Sequence, residues 1–420
     1  MKRKFLPALA AALCCLCLSG LASASSPITI STAIATVAGD GEHVAAVALH
    51  YDQPLLSSSV TADDYHVAGR TIEKAAVSPT DGQEVLLQLQ ALPLVDSSSD
   101  AHPEDGSLEQ RHALGHNGPV LGSHGNPQPL PVMQATVSQT GLVKTKSGQL
   151  YGPGAPFTTT HVKEPIVEDF QQGVFTDKTQ QNATLKYNLY VPKNYDPQKK
   201  YPLVLFMHDA GCVSPDVKTT LVQGLGAIAF ASPQWQAEHP CFVLAPQYDT
   251  VIVDDNYQYG PELDRTIHLV QQLCQKYSID TDRLYNTGQS MGGMTSIAMD
   301  VKYPDFFAGS YLIASKWNEA VTSPLGKQHI WAVVSQGDPG ASPSMEKIMV
   351  NLEKEGVKVA RQTMDTSQSD AAMDAQAAAL IQPDCSHYLT LYQGGSHRST
   401  WQHAYTLKPA LEWLFGQKKA

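Results

Sequence analysis

Positive charge is scarce in this chain. Of its 420 residues, 29 are Lys or Arg against 40 Asp or Glu, a formal balance of −11 at pH 7. Binding to nucleic acid or to an anionic membrane surface relies on Lys and Arg neutralising phosphate, so this balance argues against both partners. Cysteine is scarce too: there are seven, and Cys14, Cys15 and Cys17 fall in the first few positions. The other four, Cys212, Cys241, Cys274 and Cys385, are too few to make a disulfide scaffold in so long a chain, and bridges and buried thiols both stay open for them. Long apolar runs are also missing. Beyond the N-terminus nothing approaches the roughly 20 residues that a membrane span takes, so no membrane anchor is expected.

What is present suits a folded protein. The chain is 42% hydrophobic with 30 Gly and 27 Pro, and its length makes two domains the natural expectation. At the start, Lys2, Arg3 and Lys4 precede an apolar stretch at 5–18 and the small residues Ala22, Ser23 and Ala24. That is the pattern of a secretory signal peptide over 1–24, cut near Ser25. The expected mature chain carries −14 once the three basic residues are lost, and it is expected to be secreted or periplasmic.

Residues 27–93 show short β-rich runs at 28–37, 44–51 and 85–92, broken by Gly, Asp and Pro turns. They predict a small all-β sandwich over 27–160, with a last strand at 133–143 returning to it. Between them, 95–131 is polar and rich in Gly and Pro, which predicts an inserted loop. His102, His112, His116 and His124 lie in that loop. No Cys stands nearby and no two His share a helix face, so a solvated loop rather than a metal site is expected.

From 163 to 420 the pattern alternates. Strands are predicted at 185–191, 202–207, 241–246, 283–286, 309–314, 329–334 and 388–392, with helices at 261–277 and 343–355 among the segments between them. Such alternation implies an α/β fold, a mostly parallel sheet with helices on both faces. Ligands and chemistry in such sheets sit outside the carboxyl ends of the strands.

One motif falls at such an end. Gly288-Gln289-Ser290-Met291-Gly292 follows the 283–286 strand and opens a helix, the setting of a nucleophile elbow. By chance, roughly one chain in seven of this length would contain G-x-S-x-G, so the setting carries the weight. A hydroxyl needs a base, and the base needs an orienting carboxylate. His397 follows the last strand and is the favoured base; His387 and His403 should lie at the strand's start and inside a helix. Asp338, in Gln336-Gly337-Asp338-Pro339-Gly340, is the favoured acid, with Asp365 next as the end of a further candidate strand. Backbone N–H groups of Met291, Asp209 and Ala210 are the candidate oxyanion hole.

Taken together, HDAG, GQSMGG, QGDP and GGSHRSTWQHAY, in that order and spacing, resemble the α/β-hydrolase esterases related to polyhydroxybutyrate depolymerases and feruloyl esterases. The likeness is strongest to the exported subgroup with an immunoglobulin-like domain ahead of the hydrolase. It implies a serine esterase with Ser290, Asp338 and His397 as triad, and Met291 with the His208 loop as oxyanion hole. Where that family reads His-Gly in the loop, this chain has His208-Asp209, whose carboxylate must point away from an oxyanion. No cofactor or metal is implied.

Trp317 is a candidate lining for an acyl or aromatic pocket, against an equally ordinary packing role. Trp401 reads as core. Asp249, Asp254 and Asp255 lack the spacing of a calcium loop, and Asn182-Ala183-Thr184 is a glycosylation sequon only in a eukaryotic source. The expected substrate is a small-molecule or polymeric ester. The alternatives are a peptidase or polyester depolymerase using the same triad, or an inert binding or adhesion protein; assembly into a homo-oligomer stays open.

Overall fold

The computed structural model describes residues 26–94 and 118–419. The expected signal peptide lies outside the described residues, as do His102, His112 and His116.

In chain order the N-terminal strands are β1 (Ile28–Ala38), β2 (Gly41–Tyr51), β3 (Tyr65–Val67), β4 (Ile72–Val77), β5 (Glu84–Leu89), β6 (Thr136–Gln139), β7 (Val143–Lys144), β8 (Leu150–Tyr151), β9 (Phe157–Thr158) and β10 (His161–Lys163). One sheet has the order β10-β1-β2-β5-β4; β3-β6-β9 form a second, and β7-β8 a short ribbon. Alternation fills the space between them. Val85, Leu87 and Leu89 of β5 point inward to meet Val47, Leu49, Tyr51 and Val137. The Tyr51 hydroxyl, buried with them, donates to Gln139 Oε1 at 2.9 Å.

The single strand expected at 133–143 is two pieces, β6 and β7. The chain turns between them because the amides of Thr140 and Gly141 both donate to the Asp64 carbonyl, at 2.7 and 3.1 Å.

The second domain is built on β11 (Phe170–Asp177), β12 (Ala183–Tyr190), β13 (Tyr201–Met207), β14 (Phe242–Gln247), β15 (Ile279–Gln289), β16 (Gly309–Ile313), β17 (Ile330–Ser335), β18 (Val359–Met364) and β19 (His387–Tyr392). Their order is β11-β12-β14-β13-β15-β16-β17-β19-β18. β11 and β12 run antiparallel to their neighbours and every other pairing is parallel. The architecture is the expected α/β one. Helices Glu262–Lys276 and Met291–Lys302 belong to the hydrophobic cluster on one face, and Leu225–Ala231 and Lys408–Phe415 to that on the other.

Of the two outermost strands, β11 is not among those expected, whereas β18 is the strand that Asp365 follows. β11 and β18 mix exposed and buried positions, as edge strands do, and so lack the apolar run that marks a central parallel strand.

The β1–β2 turn docks the sandwich on this domain. Gly39 lies so close to Gln402 that an added Cβ would stand 2.5 Å from its carbonyl oxygen. Nearby, Lys218 Nζ reaches Glu42 at 3.6 Å and also pairs with Glu164. All four cysteines, Cys212, Cys241, Cys274 and Cys385, are free thiols. Among the described residues no helix is long and apolar enough to cross a membrane.

Candidate active site

Ser290 sits between the end of β15 and the helix Met291–Lys302, with φ 53° and ψ −118°. A side chain other than Gly rarely adopts positive φ, so the surroundings must impose this conformation. They do so through three glycines. β15 pairs with β13 so that Gly288 lies opposite Met207, and a Cβ on Gly292 would run into the Met207 carbonyl. A Cβ on Gly288 would press on the Gly292 backbone and one on Gly293 on Ser315 Oγ. The helix can start this close to the strand only without those carbons. The Ser290 amide donates to the Ile313 carbonyl at 3.0 Å, which ties the turn to β16.

His397 comes from the loop after β19. Its Nε2 lies 2.8 Å from Ser290 Oγ and its Nδ1 lies 2.5 Å from Asp338 Oδ2. The geometry calls for Nδ1–H donating to the carboxylate and an unprotonated Nε2 facing the serine hydroxyl. Trp401 stands edge-on to the imidazole, with ring centroids 5.3 Å apart.

Asp338 comes from the loop after β17 and is buried. Its other oxygen, Oδ1, accepts from the amides of Gly340 and Ala341, both at 2.9 Å, at the start of helix Ala341–Lys354. Burial pushes this carboxyl up. The hydrogen bond and charge of His397, with the Ala341 and Gly340 amides, outweigh that and hold it below its ordinary value. The two loops are joined directly: the Gly337 amide donates to the Gly394 carbonyl at 2.9 Å, and a Cβ on Gly337 would collide with Gly395 O.

The loop after β13 approaches Ser290 from the third side. Met291 is the first residue of its helix and so has no intrahelical acceptor for its N–H. The amides of Asp209 and Ala210 donate to no backbone carbonyl among the described residues. The Asp209 carboxylate is turned into the loop. It accepts from Gly211 N at 2.8 Å and from Gln289 Nε2 at 3.1 Å, capping the short turn Ala210–Cys212. The sequence pattern did not reveal this capping role, although an Asp two residues before Gly is a familiar cap signal.

Two buried side chains brace the same loop. His208 Nδ1 donates to the Asp209 carbonyl at 2.7 Å, while Nε2 accepts from Tyr248 N at 3.0 Å. Burial pushes the His208 pKa down, in keeping with this neutral tautomer. Gln247, at the end of β14, donates to the Cys212 carbonyl at 2.8 Å and accepts from Thr220 N at 2.8 Å.

The remaining candidates lie elsewhere. Asp365 accepts from the Ser367 amide and is not brought to His397. His387 is buried at the start of β19 against the Leu325 carbonyl, and burial pushes its pKa down to about 4. His403 lies in helix Ser399–Ala404. Trp317, offered as a pocket lining, is instead packed in the core, edge-on to Tyr257 at 5.5 Å. Asp255 pairs with Lys316, Asp254 accepts from the Asn256 and Gln258 amides, and the Asp249 carbonyl accepts from His124. Among the described residues, groups able to ligate a metal converge at Glu238, His239 and Glu412, where Lys408 already pairs with both carboxylates.

A cavity of about 440 Å³ is lined by Asp209, Arg398 and Trp401, by Asp40 of the β1–β2 turn and by His43 of β2. A second, of about 790 Å³, lies between the domains and shares Asp40, His43 and Cys212 with the first. The sandwich therefore supplies one wall of the space next to the site.

Comparison with known proteins places these two domains. The family described as "Esterase Ig-like N-terminal domain" matches residues 31–152, and the family described as "Putative esterase" matches 179–411. A solved structure titled as a thermostable esterase is 24% identical, covering 93% of this chain and all of its own, with a TM-score of 0.73. It has the same fold throughout. A feruloyl esterase module from Clostridium thermocellum matches at 17% identity over 57% of this chain and 86% of its own, with a TM-score of 0.39. No curated protein matches the sequence. With more than half its length in the second match, the chain belongs to that esterase family, and it is a carboxylic ester hydrolase carrying an immunoglobulin-like N-terminal domain.

Proposed function

We propose that the protein is an exported serine esterase that works through an acyl-enzyme on Ser290. The observation that carries this reading is the unbroken chain Ser290 Oγ, His397 Nε2, His397 Nδ1, Asp338 Oδ2, with links of 2.8 and 2.5 Å. Ser290 attacks the ester carbonyl while His397 takes its proton. Asp338 holds the imidazole in the required tautomer and stabilises the imidazolium. The carbonyl oxygen becomes an oxyanion held by the Met291 N–H and by an amide of the Asp209–Ala210 segment, each donor lowering the barrier by roughly 3 to 4 kcal/mol. His397 then protonates the departing alcohol, and a water activated by the same base releases the acid.

Export rests on the basic, apolar and small-residue sequence of the first 24 positions. Mass spectrometry of the protein recovered outside the cytoplasm should give an N-terminus near Ser25. For the chemistry, a fluorophosphonate should label wild-type protein at Ser290 and leave Ser290→Ala unlabelled, and short-chain aryl esters should turn over only with the former. Equal background turnover in both, with no label, would overturn the reading.

A further inference from the structure

The oxyanion hole of the proposed mechanism draws on two loops. The Met291 N–H belongs to the turn beneath Ser290, and the second donor to the Asp209–Ala210 segment after β13. Donors of this kind work only when held within about 0.5 Å of the productive geometry, so the two loops must keep register. Backbone packing holds the second loop as far as His208, whose carbonyl would stand 2.9 Å from a Cβ on Gly292. At the next residue a side chain makes the tie. Asp209 Oδ2 accepts from Gln289 Nε2 at 3.1 Å, and Gln289 is the residue before Ser290.

Both ends of this tie are buried. The Gln289 amide also donates to Gln223 Oε1, at 3.2 Å. Both hydrogens of Nε2 are therefore engaged, and turning the amide over would set its oxygen against an ionised carboxylate that can only accept. Asp209 is fixed in turn, Oδ1 by the Gly211 amide at 2.8 Å and Oδ2 by the Cys212 thiol at 3.5 Å. A carboxylate on the residue whose own amide is a candidate donor opposes the negative charge that develops in the hole. Glycine at this position would avoid that penalty but could not form the tie. A charge-assisted acceptor holds its donors about twice as strongly as a neutral one, which gives the acid its reason.

We propose that the side chains of Asp209 and Gln289 are positioning groups that keep the two halves of the oxyanion hole in register. This rests on the serine-esterase reading above. In this role neither side chain touches the reacting atoms: Asp209 acts through its own loop, and Gln289 through the turn that carries Ser290 and Met291.

The test separates binding of an oxyanion from binding of the ground state. An alkylthio trifluoromethyl ketone takes Ser290 Oγ at its carbonyl carbon: the C–O π bond opens, the serine proton passes to His397, and the former carbonyl oxygen becomes an oxyanion in the hole. The matched methyl ketone stays trigonal. In Asp209→Ala and in Gln289→Met, kcat for a short-chain aryl ester should fall about tenfold or more while KM stays within about twofold, a part of the roughly hundredfold to thousandfold that loss of a whole donor costs. The inhibition constant of the trifluoromethyl ketone should rise by a similar factor and that of the methyl ketone should not. The double variant should be no worse than Asp209→Ala, because both residues serve one link. Gln289→Met leaves the cap on Gly211 in place, so it decides alone if Asp209→Ala does not accumulate. Unchanged kcat in Gln289→Met, a trifluoromethyl ketone that loses no more affinity than the methyl ketone, or losses that multiply in the double variant would overturn this inference alone. A wild-type protein with no Ser290-dependent turnover of any ester would overturn the esterase reading beneath it.

Discussion

The two domains bury their interiors in different ways. Along β5 of the sandwich, every second residue is buried and those between are exposed or partly so. Along β13 of the hydrolase sheet, all seven residues from Tyr201 to Met207 are buried. A sheet with one wet face leaves room for change in half its positions, whereas a sheet covered on both faces leaves almost none. The proposed chemistry sits in the second kind. The loops after β13, β15, β17 and β19 meet at one edge of it, and each is held by backbone contacts too close for an added carbon. The sandwich touches that edge through a turn and contributes wall to the adjoining cavity, with none of Ser290, His397 and Asp338.

The largest effects should follow from breaking the triad and should leave the rest of the comparison intact. Ser290→Ala and His397→Ala should each lower turnover of a short-chain aryl ester about a millionfold, by analogy with other serine hydrolases. Asp338→Asn should cost roughly ten-thousandfold, because the amide cannot hold the working tautomer. Urea unfolding of all three should stay close to wild type. A wild-type rate in Asp338→Asn would place the acid elsewhere.

The next effect concerns the close approach beneath Ser290. Gly292→Ala should destabilise the hydrolase domain on the order of 5 kcal/mol or prevent its accumulation in soluble form, since the new carbon meets the Met207 carbonyl. Circular dichroism during urea titration would show it, as a lost or shifted transition assigned to this domain. Normal stability in this variant would mean that β13 and the helix can separate at small cost, and that the hydrolase sheet tolerates change more as the sandwich does.

How much of this was readable beforehand divides along the same line. The order of Ser290, Asp338 and His397, each just past a strand, could be read because parallel strands place their carboxyl ends at one edge. Central strands announced themselves as apolar runs. β11 does not, because an edge strand stays half-exposed, and the single strand expected at 133–143 is broken by contacts to Asp64, far away in sequence. The capping by Asp209 and the bracing by His208, Gln247 and Gln289 were equally hidden. Several of their partners lie 27 to 80 residues away along the chain, and pattern alone does not say which loops meet. Trp317 left two readings open for a related reason: an aromatic after a strand looks the same in sequence whether it lines a cavity or, as its burial here shows, packs in the core.

A subtler effect lies in the hydrolase core. Asp300, on the helix that starts at Met291, is fully buried; Asn286 donates to its Oδ1 at 2.8 Å. Burial pushes its carboxyl up to about 7. A carboxyl raised by folding favours the folded state when protonated, so its contribution is complete below about pH 4 and fades as pH rises through about 7. Asp300→Asn removes the titration while keeping an acceptor for Asn286. Wild-type stability should therefore fall relative to this variant between those pH values, by at most about 4 kcal/mol. A pH-independent difference, measured by urea unfolding at pH 4, 5.5 and 7.5, would contradict this.

The smallest effect completes the contrast with Gly292. Gly148, in the turn between β7 and β8, has φ +95° and no atom within 4 Å of where a Cβ would lie. Its requirement is the backbone angle alone, with no crowding behind it. Gly148→Ala should cost about 1 kcal/mol of sandwich stability, the ordinary penalty for an L side chain at positive φ, and should leave ester turnover unchanged. A turn on a half-wet sheet can yield by small rotations at its neighbours, and the turn beneath Ser290 cannot. If Gly148→Ala instead lowered turnover, the sandwich would be passing strain through the β1–β2 turn to the helix behind His397, and the domains would be coupled more tightly than the contact at Gly39 suggests.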